Sequence, residues 1–221
     1  MTTRSLKSLL PGALLLPAIA AYAGGWAAIT VENLPEYVVA REPVNLTFTV
    51  RQHGVTRLNG LKPRVDATAG RLEATVAAAA GPEAGQYTAT LTLPQAGDWT
   101  ITIHSGFHSS STTLMPLKVI EPGSRPPLAL PAAERGRRLF VAKGCVTCHL
   151  HRDVAAGRDA RVGPELTGRR YPPEYLGQFL ANPAVAPRRS STSEMPNLNL
   201  RQPEIAALVA FINTERRQAS R

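Results

Sequence analysis

Apolar and polar residues alternate through Val44-Asn45-Leu46-Thr47-Phe48-Thr49-Val50. A period of two predicts a strand with one face buried. Tyr87 to Leu93 and Trp99 to His104 repeat the pattern, and Pro94-Gln95-Ala96-Gly97-Asp98 predicts a turn leading one into the next. Ala27–Val31 and Leu117–Ile120 are short apolar runs that predict further strands. Short strands separated by turn signals suggest an all-β sandwich of immunoglobulin type.

The period changes in the second half of the chain. Ile205, Leu208, Val209 and Ile212 fall at helical spacing, Phe211 extends their face, and Pro203 sits at a first helical turn. A second helix is predicted over Pro173–Ala181, with Leu176, Phe179 and Leu180 inward and Pro183 ending it. Between the halves, residues 121–131 hold Pro122, Pro126, Pro127, Pro131 and Gly123, which sustain neither a helix nor a central strand. The expected organisation is multidomain: a leader over 1–23, a β-sandwich over 24–120, a stiff linker over 121–131 and an all-α domain over 132–221.

The leader reading rests on Arg4 and Lys7, the apolar stretch Leu9 to Ala20, and Ala21-Tyr22-Ala23 as a small-residue cleavage site. It implies a periplasmic or otherwise extracytoplasmic protein, soluble once cleaved. The alternative is a retained N-terminal membrane anchor, which the shortness of the run, Pro11 and Pro17 oppose. The net charge of +9 is uneven. Residues 24–130 balance, whereas residues 131–221 hold fourteen Arg and one Lys against eight acids. A basic helical domain suits an acidic protein partner, or is simply a solvated surface. No nucleic-acid-binding motif accompanies the charge.

Both cysteines of the chain lie in Cys145-Val146-Thr147-Cys148-His149. Cys-x-x-Cys-His is the attachment signature of c-type haem. On a helix, the two thiols share a face and can reach both vinyl groups at one porphyrin edge, while His149 can turn toward the iron. A thioredoxin-like redox pair would sit beside a βαβ pattern, and a zinc site would need a second ligand pair; neither is visible. One motif predicts one covalent haem c. Met195 is the one methionine of the helical half, followed by Pro196 in a polar segment, and its thioether is the candidate distal ligand. His151 reads as a solvated histidine.

From Pro131 to Asn213 the chain resembles a class I monohaem cytochrome c domain. The carrying residues are collinear: Ala132 to Phe140 for the N-terminal helix, with Gly136 and Phe140 where it would cross the last helix; Gly144 before Cys145; Gly163-Pro164-Glu165-Leu166-Thr167-Gly168 beneath the proximal side; Met195-Pro196; and Gln202 to Asn213. The resemblance implies a helical cytochrome c fold and a brace for the His149 ring at Pro164, whose carbonyl would accept the imidazole Nδ1–H. Gly85-Gln86-Tyr87 and Gly97-Asp98-Trp99 resemble small exported β-sandwich domains of the YtkA-like or FixH-like kind.

The function expected is one-electron transfer between redox partner proteins, acidic ones or membrane respiratory complexes, with the β-domain for docking. The chain reads as a carrier or oxidoreductase subunit rather than an enzyme, and neither a small-molecule substrate nor nucleic acid is evident. Two alternatives stand beside it. One is a haem enzyme subunit or gas sensor with a labile distal ligand. The other is an assembly module binding a partner or copper, for which His53, His104, His108 and Met115 have suitable side chains. Those histidines read equally as surface residues, and alternation puts His104 opposite the Trp99, Ile101 and Ile103 face. Trp26 and Trp99 are expected in the core.

Overall fold

A computed structural model describes residues 25–154, 162–185 and 195–214. The expected leader and most of the segment before Met195 lie outside the described residues. The first half contains β1 (Ala27–Val31), β2 (Tyr37–Val39), β3 (Pro43–Gln52), β4 (Thr56–Arg57), β5 (Arg64–Ala69), β6 (Leu72–Ala77), β7 (Ala79–Ala80), β8 (Gln86–Thr92), β9 (Gly97–His104), β10 (Ser111–Thr113) and β11 (Leu117–Ile120). They form two sheets. One runs β1-β3-β8-β7, with β4 on β3, and the other runs β2-β11-β9-β5-β6, with β10 on β9. All pairings are antiparallel except that of β11 with β2.

The alternation read from the sequence sets the core. Leu46, Phe48 and Val50 of β3 and Tyr87, Ala89 and Leu91 of β8 face Val65 and Ala67 of β5 and Trp99, Ile101 and Ile103 of β9. The Tyr87 hydroxyl donates to the Leu58 carbonyl at 2.7 Å and accepts from the Leu61 N–H at 3.1 Å, so its polar end is satisfied inside the sandwich. The turn after β8 differs from a hairpin. β8 and β9 belong to opposite sheets, so Pro94 to Asp98 carries the chain across the core instead of pairing its neighbours.

The second half contains α1 (Ala132–Ala142), α2 (Cys145–Cys148), α3 (Pro173–Ala181) and α4 (Gln202–Ile212), with one 3₁₀ turn at Pro183–Val185. α1 crosses α4 at Gly136. A Cβ there would collide with the Ala207 carbonyl oxygen and meet the Phe211 Cβ at 2.7 Å. Phe140 and Phe211 meet edge-on, with ring centroids 5.5 Å apart. The capping box of α4 is unusual. Glu204 accepts the Arg201 backbone N–H at 2.9 Å while its carboxylate is buried.

The halves pack directly on one another through β1, which is buried along its whole length. Ala27, Ile29 and Val31 point into the sandwich, whereas Ala28 and Thr30 face the helical half. Lys143, just after α1, is 4% exposed. Its ammonium pairs with Glu204 at 2.9 Å and donates to the Glu32 carbonyl at 3.0 Å, and its own carbonyl accepts from the Thr30 hydroxyl at 3.4 Å. Gly144 follows at φ +78, and a Cβ on it would stand 2.6 Å from the Ile29 carbonyl oxygen. Both the left-handed backbone and the close approach require glycine at this position.

Candidate functional site

Gly144 caps α2, a single turn that carries both cysteines. The turn brings Cys145 and Cys148 to the wall of one cavity of about 1040 Å³. His149 leaves the turn in an extended conformation and lines the same cavity. Its Nδ1 lies 3.0 Å from the Pro164 carbonyl oxygen, a bond that assigns the ring proton to Nδ1 and leaves Nε2 as a lone-pair donor. Gly163 makes room for this arrangement, since a Cβ there would sit 2.5 Å from the His149 Cε1. Met195 lines the cavity as well. Cys145, Cys148, His149, Pro164 and Met195, five residues spread over three sequence segments, therefore border a single space.

The rest of the wall is mostly apolar. Phe140, Leu166, Leu176, Leu180, Leu208 and Ile212 supply it from α1, α3, α4 and the segment before α3. The space is at the upper end of, or beyond, ordinary small-ligand pockets. Large size, apolar lining, two thiols at one edge and an unbonded imidazole nitrogen fit a c-type haem. They fit a reactive thiol pair poorly. Burial, with Cys148 nearby, pushes the Cys145 thiol up to about 12, and burial raises Cys148 too. Nucleophilic and redox-active cysteines need the opposite shift. Burial also lowers the His149 pKa, against a smaller upward pull from the Pro164 carbonyl, so the ring is neutral and able to ligate. Among the described residues no three His, Cys, Asp or Glu side chains converge to hold a metal ion.

The residues read as copper candidates each have a partner of their own. His104 pairs with Asp66 at 2.9 Å on the sandwich surface. His108 packs edge-on against Phe107. Met115 packs against the helical core, and His53 stands beside Trp26 with ring centroids 5.7 Å apart. The four thus have different neighbours.

Two expectations change. His151 is not solvated: it is 4% exposed and lies over Phe211 with ring centroids 4.3 Å apart. Its Nδ1 accepts the Asp153 backbone N–H at 3.3 Å, and burial lowers its pKa against the pull of Asp153. It therefore acts as a neutral aromatic packing element. Trp99 is fully buried as expected, but Trp26 is half-buried, lies outside the sandwich core and lines the cavity.

Trp26, His53, Gly54 and Val55 of the β-domain border the cavity, and nothing in the attachment motif foretold them. The signal was available in β1. Trp26 to Val31 is almost unbroken in its apolar character, where a strand with one wet face would alternate.

No curated protein sequence matches the chain. Several solved structures are similar to part of it. The CARDB domain of the PF1109 protein from Pyrococcus furiosus, whose structure is a complex with di-metal ions, is 15% identical, with 42% of this chain and 87% of that one covered at a TM-score of 0.26. The PKD domain of the human receptor SorCS2 is 12% identical, with 57% and 100% covered at a TM-score of 0.27. Domains 4 and 5 of the S-layer protein SbsC are 24% identical, with 42% and 50% covered at a TM-score of 0.30. The chain thus spans half of that fragment, and 15% of the longer SbsC structure of domains 4–9. The profile of the cytochrome c family matches residues 133–215. That match starts one residue into α1 and ends just beyond α4, so the helical half of this chain is a cytochrome c domain.

Proposed function

We propose that this chain is an exported monohaem c-type cytochrome that passes single electrons between redox proteins. Cys145 and Cys148 form the two thioether links, His149 Nε2 is the proximal ligand and Met195 the distal one. The bound haem supplies one-electron chemistry, its iron alternating between ferric and ferrous states. The observation that carries the reading is the convergence of both thiols, the free imidazole nitrogen and a thioether on one large apolar cavity.

The residues divide the remaining work. The Pro164 carbonyl fixes the His149 tautomer and makes the ring a stronger donor. Apolar side chains of α1, α3 and α4 keep water from the cofactor, which favours the less charged ferrous state. A thioether at the distal position acts in the same direction. With His149 and Met195 both engaged, no coordination position remains for a substrate, and a carrier needs none. The arginine excess of residues 131–221 favours an acidic partner, and association weakens as salt rises. Export gives the setting in which such partners, including membrane respiratory complexes, are met. Among the described residues no helix is long and apolar enough to cross a membrane.

A pyridine haemochrome spectrum with peptide mapping tests the reading. The protein made in a cell competent for cytochrome maturation should carry one haem per chain on the peptide holding Cys145 and Cys148. A colourless product with both thiols unmodified would refute it.

A further inference from the structure

We propose that the haem site is built by both domains: Trp26, His53 and Val55 of the β-domain form the wall beside the attachment segment and set how far a bound haem meets solvent, and with it the reduction potential. The proposal rests on the reading of the cavity as a haem site.

Strand geometry aims the wall. Side chains two apart share a face, so Trp26, Ala28 and Thr30 point together, and all three line the cavity. The turn between β3 and β4 completes it. The His53 N–H donates to the Trp26 carbonyl at 3.0 Å, the Gly54 N–H to Arg51 at 3.3 Å and the Val55 N–H to Gln52 at 3.0 Å. His53 and Gly54 both take left-handed backbone, at φ +51 and +77. A non-glycine residue seldom adopts this conformation, and here three backbone bonds hold it. The His53 ring settles over the start of the strand because Gly25 has no side chain; a Cβ there would come within 2.7 Å of the His53 Nε2.

The wall cannot drift from the attachment segment. Ile29, three residues from Trp26, has its carbonyl against Gly144, and Gly144 adjoins Cys145. Lys143 ties the end of α1 to Glu32 and to Glu204 at the same boundary. Val55 is 60% exposed, an apolar group standing open beside the cavity. A planar apolar cofactor in that space would cover such surface, and removing apolar area from water is favourable. A docking tether would leave the haem environment to the helical domain alone; in this chain the sandwich is part of that environment.

The test uses the full-length haem-loaded protein with opposite charges placed at Val55. Val55 is exposed, so Val55→Asp and Val55→Lys both leave the sandwich intact. Ferric haem carries one more positive charge than ferrous, so Asp lowers the midpoint potential and Lys raises it. The two variants should differ by about threefold or more in the equilibrium constant for reduction by a mediator, where tenfold corresponds to about 59 mV for one electron. Arg71→Glu, in the β5–β6 turn away from the cavity lining, should shift the potential less than either. Trp26→Ala should lower the potential by admitting water. Identical potentials for the two Val55 variants, with haem content at the wild-type level, would overturn the wall and leave the haem reading standing. Wild-type protein without covalent haem would remove both.

Discussion

Lys143→Met is the most informative single change at the boundary between the domains. Lys143 and Glu204 are 4% and 2% exposed, and their charged atoms are 2.9 Å apart. Methionine fills a similar volume but leaves the Glu204 carboxylate buried without its ammonium. Breaking a buried pair in this way costs about 3–5 kcal/mol. Arg201 remains 3.0 Å from Glu204 Oε1 and offsets part of the loss, while the hydrogen bond from Lys143 to the Glu32 carbonyl is lost outright. The expected cost is about 3 kcal/mol, at the lower end of that range. Glu204→Gln keeps the α4 cap partly intact and should cost about 2 kcal/mol, mostly by leaving Lys143 charged and underpaired. Lys143→Met with Glu204→Met should recover much of the sum, because no buried charge is left alone. The assay is urea unfolding of the full-length holoprotein, followed by Soret absorbance for the helical domain and far-ultraviolet dichroism for both. Loss of the Glu32 bond should also separate the two signals into distinct transitions. A cost below about 1 kcal/mol for Lys143→Met, or an additive cycle, would refute the argument.

Other outcomes follow from neighbouring features. Gly136→Ala should destabilise the helical domain by about 3 kcal/mol or more, because the added methyl meets the Ala207 carbonyl, an atom of the α4 backbone that cannot rotate aside; thermal melting at the Soret band reads the effect. Burial pulls the Glu204 carboxyl upward, but bonds from Arg201 and Lys143 outweigh it and hold the pKa below the ordinary glutamate value. Its contribution to stability is therefore complete above about pH 4.3 and falls away as pH drops through the lower folded value. Urea midpoints between pH 6 and 3 should show that loss, and Glu204→Gln should flatten it. Met195→Ala should abolish the sulfur-to-iron charge-transfer band at the red end of the ferric spectrum, and an unchanged band would mean that another group is the distal ligand.

How much of this was legible in the sequence depended on contrast between neighbouring positions. β3, β8 and β9 alternate large apolar residues with threonine and were readable. β5 and β6 pair along six positions yet were not read, because several of their inward positions are alanine and the pattern is faint. Period two reports which face a residue takes, not which strand it pairs with, so the crossing from β8 to β9 between sheets was invisible. The α3 limits were legible because proline and helical spacing act locally, whereas the Gly136 crossing came from the resemblance to a cytochrome c domain. The haem-binding candidates were legible because two thiols and an imidazole must sit close in sequence to act at one porphyrin edge. The β-domain wall and the burial of His151 beneath Phe211 arise from contacts distant in sequence, and no local pattern encodes them. The unbroken apolar character of β1 was the one clue, since a strand wet on neither face must be covered twice.

The contact of Ile29 with Gly144 also constrains the order of assembly. The sandwich is synthesised first and can fold while the cysteine motif is still emerging. With β1 seated on Gly144, Cys145 and Cys148 line the cavity and remain partly exposed. The packing of β1 on Gly144 is therefore a late step of folding, and it joins the first-made half to the segment that carries both cysteines.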